Sequence, residues 1–153
     1  MAMFQIIRRT DIAAPLDQVW DFFARPENLD RLTPPDLSFR IVTADVGRMY
    51  SGQIIEYRIR IFPLLWVRWL TEIKHVAEGR YFVDEQRIGP YKFWHHEHRF
   101  ESLPNGQVRM QDLVNYDVGW GWIGVLLNTL VIRRRLNYIF DYRQRVIAGL
   151  FGG

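Results

Sequence analysis

Hydrophobic and polar positions follow two different periods along this chain, and the changes of period divide it into three parts. Near the start, Phe4 to Asp11 alternates loosely between apolar and polar residues, which predicts a strand. After Ala14-Pro15, the apolar residues from Leu16 to Phe23 recur at helical spacing, as expected for a helix that opens at a proline. A second short helix is predicted from Glu27 to Leu32, just before two consecutive prolines.

The middle of the chain has a period of two, which predicts consecutive strands. The pattern begins at Leu37 and continues for roughly eighty residues, with Gly, Pro and Asn marking the turns. The segment Pro104-Asn105-Gly106 is typical of a tight hairpin between two of these strands. The predicted strands are Leu37–Thr43, Gln53–Ile61, Trp66–Glu78, Arg80–Arg87, Lys92–Ser102 and Gln107–Asp117.

The last part of the chain returns to helical spacing after Gly119. A single long helix is predicted from Ile123 to Leu150. Its apolar stripe consists of Leu127, Leu130, Leu136, Ile139, Phe140 and Ile147. This order of elements predicts one α+β domain over residues 1–153. In it, a curved seven-stranded antiparallel sheet wraps around the long C-terminal helix, and two short helices lie between the first and second strands.

Composition narrows the function classes. Aromatic residues make up 15% of the 153 residues, and such side chains suit both a core and the wall of an organic ligand's pocket. The absence of cysteine excludes disulfides, thiolate metal sites and a cysteine nucleophile. With no secretory signal at the start, the chain is expected to be cytoplasmic. The net charge is only +3, and the cluster Arg133 to Arg135 would disperse around a helix, so nucleic acid is not an expected partner.

Alternation within the strands assigns several polar residues to the inner face of the sheet. In the segment FWHHEHRF, Trp94, His96, His98 and Phe100 share one face, and His95 lies on the other. The same argument turns Asp84 and Gln86 inward on the preceding strand and Asp112 inward on the last. A buried polar group without a partner costs about 1 to 3 kcal/mol, so these groups are expected to bond one another, water or a ligand.

Four segments of the chain carry a resemblance to a known family. These are AAPLDQVWDFFARPENLDRLTPPDL, FVDEQRIGPYKFWHHEHRF, MQDLVNY and NYIFDYRQRVI. They resemble the helix-grip proteins of the START and polyketide cyclase/dehydrase superfamily, most of all a bacterial ligand-binding branch. The segment from Asp84 to His98 is the most specific of these. The resemblance implies a helix-grip fold with a deep cavity between sheet and C-terminal helix, used across the superfamily for lipids, sterols, hormones, quinones and polyketides. Fold analogy does not assign the chemistry.

Three interpretations of His96 and His98 follow. The pair could bind a metal together with Asp84 or Asp112, although the sequence offers no further inward ligand. Either histidine could act as a general acid or base on a carbonyl compound. The third interpretation, which we favour, is a hydrogen-bonded polar patch that orients a ligand, with no metal and no cofactor.

The leading hypothesis is therefore binding or transport of a small hydrophobic or amphipathic molecule. A cyclase or dehydratase using His96 and His98 as its tentative catalytic residues is the alternative. The other predicted ligand contacts are Asp84, Gln86, Asp112, Tyr57, Trp69, Trp94, Met110 and Tyr116.

One loop suggests a further partner. Trp120 and Trp122 alternate with glycines just before the long helix. They could form a mobile apolar lid over the cavity mouth, or touch a membrane transiently while a lipid is exchanged, or pack beneath the helix, and we expect the last arrangement. A solvated helix surface is the expected role of Arg133 to Arg135.

Overall fold

The computed structural model describes residues 2–62 and 64–152. Its centre is one antiparallel sheet of seven strands in the order β1-β7-β6-β5-β4-β3-β2, with β1 paired to β7 at one end and β2 to β3 at the other. The strands are β1 Phe4–Ile12, β2 Arg40–Ile41, β3 Ile54–Phe62, β4 Leu65–Ala77, β5 Tyr81–Ile88, β6 Phe93–Ser102 and β7 Val108–Asp117. The predicted seven-stranded antiparallel sheet is confirmed.

Helices cover one face of this sheet. Between β1 and β2 lie α1 (Leu16–Phe23) and two short 3₁₀ helices, Pro26–Leu32 and Pro35–Leu37. After β7 the chain forms α2 (Gly121–Leu127), a π-helical turn (Asn128–Ile132) and α3 (Arg133–Phe151), which together we call the C-terminal helix. The predicted α+β helix-grip architecture is thereby confirmed.

The prediction of a strand from Leu37 to Thr43 is wrong in extent. Only Arg40 and Ile41 pair with β3, while Leu37 ends a 3₁₀ helix that begins at Pro35. The residue after it, Ser38, has a φ of 42°, in the left-handed region that lies outside strand geometry. Proline at the first position of the turn therefore overrides the period-two pattern there.

The predicted apolar stripe of the long helix is correct only in its second half. Leu136, Phe140 and Ile147 are buried, whereas Leu127 and Leu130 are 43% and 53% exposed. The π-helical turn inserts an extra residue per turn, which rotates the two halves of the helix relative to each other. Asn128 is buried instead, and its Oδ1 accepts a hydrogen bond of 2.8 Å from the hydroxyl of Tyr116.

Two apolar clusters form the core, and a polar layer separates them. Along β6, Trp94 belongs to one cluster and Phe100 to the other, with His96 and His98 between them. Along β7, Asp112 lies between Met110 and Val114 in the same way. On α3, Arg143 lies between Phe140 of one cluster and Ile147 of the other. We call His96, His98, Asp112 and Arg143, with Asp84 of β5, the polar layer.

The start of the C-terminal helix approaches the preceding loop so closely that only glycine fits at position 124. A Cβ there would stand 1.8 Å from the carbonyl oxygen of Gly119, an overlap that requires backbone to move. We expect Gly124→Ala to lower the free energy of unfolding by about 1 to 3 kcal/mol, measured by urea denaturation. The matched control is Gly149→Ala on α3, where a Cβ meets nothing within 4 Å. That change should stabilise by roughly 0.5 to 1 kcal/mol, and equal effects at the two sites would contradict the close approach.

None of the helices in residues 2–62 and 64–152 is long and apolar enough to cross a membrane.

Candidate functional site

A cavity of about 250 Å³ lies between the sheet, the C-terminal helix and the 3₁₀ segment after α1. Aromatic and aliphatic side chains form most of its wall, from Phe23 of α1 and Leu32 of the 3₁₀ helix to Trp69 of β4 and Phe140 of α3. At the exposed residues Arg25 and Pro90 the lining reaches the surface of the protein. A molecule bound here would therefore contact mainly apolar groups.

Four members of the polar layer line this cavity: Arg143 from α3, and Asp84, His96 and His98 from two neighbouring strands. Asp84 of β5 pairs with His96 of β6 in the sheet register, and His98 follows two residues later on the same face. The Nε2 atom of His98 lies 2.7 Å from Oδ2 of Asp84, while Nδ1 of His96 lies 3.8 Å from the same oxygen. The two imidazole rings have their centroids 3.7 Å apart. The alternation of side chains along β6 and the pairing of β5 with β6 therefore place these groups next to one another.

Asp112, which does not line the cavity, contacts both histidines. Its Oδ1 lies 2.9 Å from Nε2 of His96 and 3.1 Å from Nδ1 of His98. His98 consequently has a carboxylate oxygen within hydrogen-bonding distance of each ring nitrogen, from Asp84 at Nε2 and from Asp112 at Nδ1. The carboxylate itself is only 3% exposed, so it acts on the cavity through the histidines.

Arg143 provides the positive charge for this buried cluster. Its Nη2 atom lies 3.3 Å from Oδ1 of Asp112 and 3.3 Å from Nδ1 of His98. The guanidinium also stands 5.3 Å from the centre of the Phe23 ring, in a cation–π position. Arg143 is only 6% exposed, so its electrostatic attraction to the Asp112 carboxylate acts in a low dielectric.

Burial and neighbouring charge set the protonation of these groups. Burial, reinforced by repulsion from His98, lowers the pKa of His96 to about 4, so this ring is neutral near pH 7. For Asp112, burial acts to raise the pKa, but the charge of Arg143 and the hydrogen bonds from His96 and His98 hold it well below its usual value. Asp84 behaves similarly: burial opposes ionisation, but the His98 hydrogen bond and the charges of His96, His98 and Arg143 outweigh it, leaving a lowered pKa.

Tyr57 adds a hydroxyl to the wall of the cavity. Burial raises the pKa of Tyr57, and the nearby Asp84 carboxylate raises it further. The hydroxyl therefore keeps its proton and can donate a hydrogen bond to an oxygen of a bound molecule.

The polar layer also bears on the metal hypothesis. One donor atom each from Asp84, His96 and His98 fall within 4.8 Å of one another, which is the spacing a metal site requires. The same donors, however, are engaged with Asp112 and with each other, and the guanidinium of Arg143 stands 3.3 Å from His98. A fixed positive charge at that distance opposes a second cation. The donor set thus fits a hydrogen-bonded cluster better than a metal centre.

The structure places six of the ten predicted site residues on the cavity wall. They are Tyr57, Trp69, Asp84, Trp94, His96 and His98. Asp112 supports His96 and His98 from behind, as described above. Met110 and Tyr116 are fully buried in the two apolar clusters instead of lining the cavity.

Gln86 has a local structural contact. Its side-chain amide donates to the carbonyl oxygen of Tyr91 at 2.6 Å and accepts from the Tyr91 backbone N–H at 3.2 Å. The glutamine therefore holds the turn between β5 and β6, outside the lining of the cavity. The ring of Tyr91, which this turn positions, lies on the cavity wall.

Sequence reasoning missed Arg143, although a signal for it was present. The buried positions of α3 are Leu136, Phe140, Arg143 and Ile147, which recur at helical spacing. A single arginine that occupies one place in an apolar stripe indicates a buried counter-charge, and Asp112 was the available partner.

Comparisons with known proteins agree with this architecture. A family model described as polyketide cyclase/dehydrase and lipid transport matches residues 12–138. The chain belongs to this family. Among curated proteins, no sequence matches it.

Solved structures share the fold at low identity. An aromatase/cyclase, ZhuI, from Streptomyces sp. R1128 is 15% identical with a TM-score of 0.70, over 99% of this chain and 94% of that one. A protein from Thermus thermophilus is 16% identical with a TM-score of 0.69, over 96% of this chain and 99% of that one. Truncated norcoclaurine synthase from Thalictrum flavum is 13% identical with a TM-score of 0.67, over 95% and 94%. These neighbours include enzymes of different chemistry, so the likeness defines the fold and leaves the reaction open.

Proposed function

We propose that this protein is a cytoplasmic carrier that binds a small hydrophobic or amphipathic molecule in the cavity. The observation that supports this most is the combination of a mainly apolar wall with a cluster of charged and imidazole side chains, Asp84, His96, His98 and Arg143, on that wall. A molecule with a hydrocarbon body and one oxygen-bearing end complements such a cavity. Lipid transport, one of the activities in the family's description, has the same requirement.

The size of the cavity limits the ligand. Its volume of about 250 Å³ lies below the roughly 300 to 1,000 Å³ typical of sites for drug-sized molecules. We therefore expect a compact molecule, or a longer one whose tail leaves the cavity at the exposed end near Arg25 and Pro90. A quinone ring, a short acyl chain or a small polyketide fits the first description.

The test compares two neighbouring histidines on opposite faces of the sheet. His96→Ala removes a polar group of the cavity wall, whereas His95→Ala changes the outer face and serves as the matched control. With a panel of fatty acids, quinones and polyketide-like phenols, we expect binding to the parent protein and to His95→Ala. His96→Ala should bind about tenfold more weakly, as expected when one ligand hydrogen bond is lost. Equal affinity in all three proteins would contradict the assignment.

A cyclase or dehydratase activity is the second candidate, since His96 and His98 both line the cavity with their ring centroids 3.7 Å apart. A buried imidazole that is neutral near pH 7 can accept a proton from a carbon next to a carbonyl group. His98, held between Asp84 and Asp112, could donate a proton to a departing hydroxyl, which would leave as water; the proton gained by His96 would then pass to solvent and His98 would take one up from solvent. Incubation with a linear poly-β-ketone and mass spectrometry of the products tests this. A dehydrated product that disappears with His98→Ala would establish an enzyme. Substrate that stays unchanged at protein concentrations typical of an enzyme assay would support a carrier.

A further inference from the structure

The first half of the C-terminal helix exposes a large apolar surface. Trp120 and Trp122 are 78% and 76% exposed, and the aliphatic side chains that follow are between 40% and 53% exposed. The expectation that the two tryptophans pack beneath the helix is therefore wrong. We call this surface the docking face; it consists of Trp120, Trp122, Ile123, Val125, Leu126, Leu127, Leu130 and Val131.

The fold holds the docking face outward. Gly124 packs against the Gly119 carbonyl, and Asn128 is bonded to the buried Tyr116, so these small or polar residues occupy the side of the helix that meets the sheet. The apolar residues between them consequently point to solvent. A surface helix of a globular protein usually has the reverse pattern, with apolar residues toward the core.

Backbone geometry before the helix has the same effect. Gly119, Trp120 and Gly121 all have positive φ, at 78°, 61° and 55°. A tryptophan rarely adopts the left-handed region, because its Cβ crowds the backbone there. The side chain is 78% exposed, so burial of the indole does not account for this conformation. The loop is thus arranged to present Trp120 to the outside.

The exposed charged residues that border the docking face along the chain are basic, while Asp117, which precedes it, is only 2% exposed and accepts a hydrogen bond from the Gly119 N–H. The sequence carries no charged residue from Val118 to Ile132, and the next acidic residue after that segment is Asp141. At the C-terminal end of the face, Arg133 and Arg134 are exposed, and at its other end the exposed Lys92 packs against Gly119. An apolar surface with tryptophans, bordered by cations at both ends, complements acyl chains beneath anionic headgroups.

We propose that this protein docks on anionic membrane surfaces through the docking face, with Trp120 and Trp122 at the headgroup level and Arg133 and Arg134 against the lipid phosphates. The docking goes beyond the binding of a cavity ligand and does not depend on it. Arg135, four residues beyond Val131, lines the cavity, so the docked helix continues directly into the cavity wall. A lipid leaving the membrane would meet that wall first.

The experiment is co-sedimentation of the full chain with vesicles. One set of vesicles contains phosphatidylcholine alone, and the other contains phosphatidylcholine with about 30% phosphatidylglycerol. We expect the parent protein to bind the anionic vesicles, and to bind less as salt is raised. Trp120→Ala/Trp122→Ala should weaken binding by about tenfold or more, and Arg133→Gln/Arg134→Gln should remove the preference for anionic lipid.

Trp66→Ala supplies the matched control. Trp66 is also an exposed tryptophan, at 37%, but it lies on β4, outside the docking face. Its loss should leave vesicle binding unchanged, and thermal unfolding should show that all variants remain folded.

Other outcomes overturn the proposal. If the parent protein does not sediment with anionic vesicles at low salt, or if the tryptophan pair and Trp66 have equal effects, the docking face does not bind membranes. Sedimentation velocity without lipid provides a further check. If the protein is a dimer that becomes monomeric with Trp120→Ala/Trp122→Ala and neither form binds vesicles, the face joins two copies of this chain instead.

Discussion

Arg143→Met is expected to lower the free energy of unfolding by about 3 to 5 kcal/mol at pH 7, the largest effect expected of any single substitution. The methionine keeps much of the side-chain volume but removes the positive charge. Asp112, which is 3% exposed, would then be a buried carboxylate without a cation 3.3 Å away. Urea denaturation of both proteins at pH 7 gives the difference.

Two further variants isolate the charge. Arg135→Met, on the same helix, breaks an arginine–aspartate pair of 2.6 Å in which both side chains are well exposed. Because surface ion pairs contribute little, that change should cost at most about 1 kcal/mol. Combining Arg143→Met with Asp112→Asn removes both charges while keeping an amide beside His96, and we expect it to regain part of the lost stability. A double variant less stable than Arg143→Met alone would argue against an unpaired carboxylate as the cause.

The second large effect is a loss of stability in mild acid that depends on His96. In the folded protein the pKa of His96 is about 4, whereas an unfolded histidine titrates near 6.5. Between these values the unfolded chain binds a proton that the folded chain does not. Stability should therefore fall as pH falls from roughly 6.5 to 4, by about 3 kcal/mol from this residue.

The aspartates act in a different range of pH. The folded pKa values of Asp84 and Asp112 are both lowered, so their contribution is complete above the unfolded value of about 3.9 and is lost only as pH falls through the lower folded values. Between pH 4 and 6.5, the slope of the free energy of unfolding against pH consequently reports histidine protonation and not the loss of these carboxylates.

Chemical denaturation at several pH values measures this slope. The amide of His96→Gln can still donate to Asp112 but does not titrate. In this variant the slope should correspond to about one proton fewer taken up on unfolding. His75→Asn is the matched control, because His75 lies exposed on β4 and its replacement should leave the slope as in the parent protein. An unchanged slope in His96→Gln would mean that the ring is not held neutral in the fold.

Sequence periodicity predicted the fold well because each strand has one buried face. The inward side of β6 follows directly from FWHHEHRF: Trp94, His96, His98 and Phe100 are all buried, and Arg99 is exposed. A shift of register by one residue would turn every one of these side chains outward, so the pattern has a single solution.

The failures have local causes that periodicity does not contain. A π-helical turn places Asn128 inward and turns Leu127 and Leu130 to solvent. No residue type in that segment predicts the additional residue in the turn. Gln86 has the correct spacing for the inner face, but the turn beside it offers two backbone partners at Tyr91. Such competition depends on the path of the loop, which side-chain alternation does not encode.

The pair of Arg143 and Asp112 could have been predicted by comparing the pattern of the C-terminal helix with that of the last strand. The sequence placed an aspartate on an apolar strand face and an arginine in an apolar helix stripe, and each required a buried partner. Considering the helix and the sheet separately left both unexplained. Their pairing is what holds the polar layer between the two apolar clusters.

The central claim is that the cavity holds an organic molecule, and native mass spectrometry of the freshly purified protein tests it most directly. The mass under native conditions is compared with the denatured mass, for the parent and for Ile139→Trp, in which a larger side chain enters the cavity from α3. We predict an extra organic mass on the parent protein that is absent from the folded Ile139→Trp variant. If ligands from the binding panel add no mass to the parent protein, or add it equally to the filled variant, the cavity is not the binding site and the proposed function is wrong.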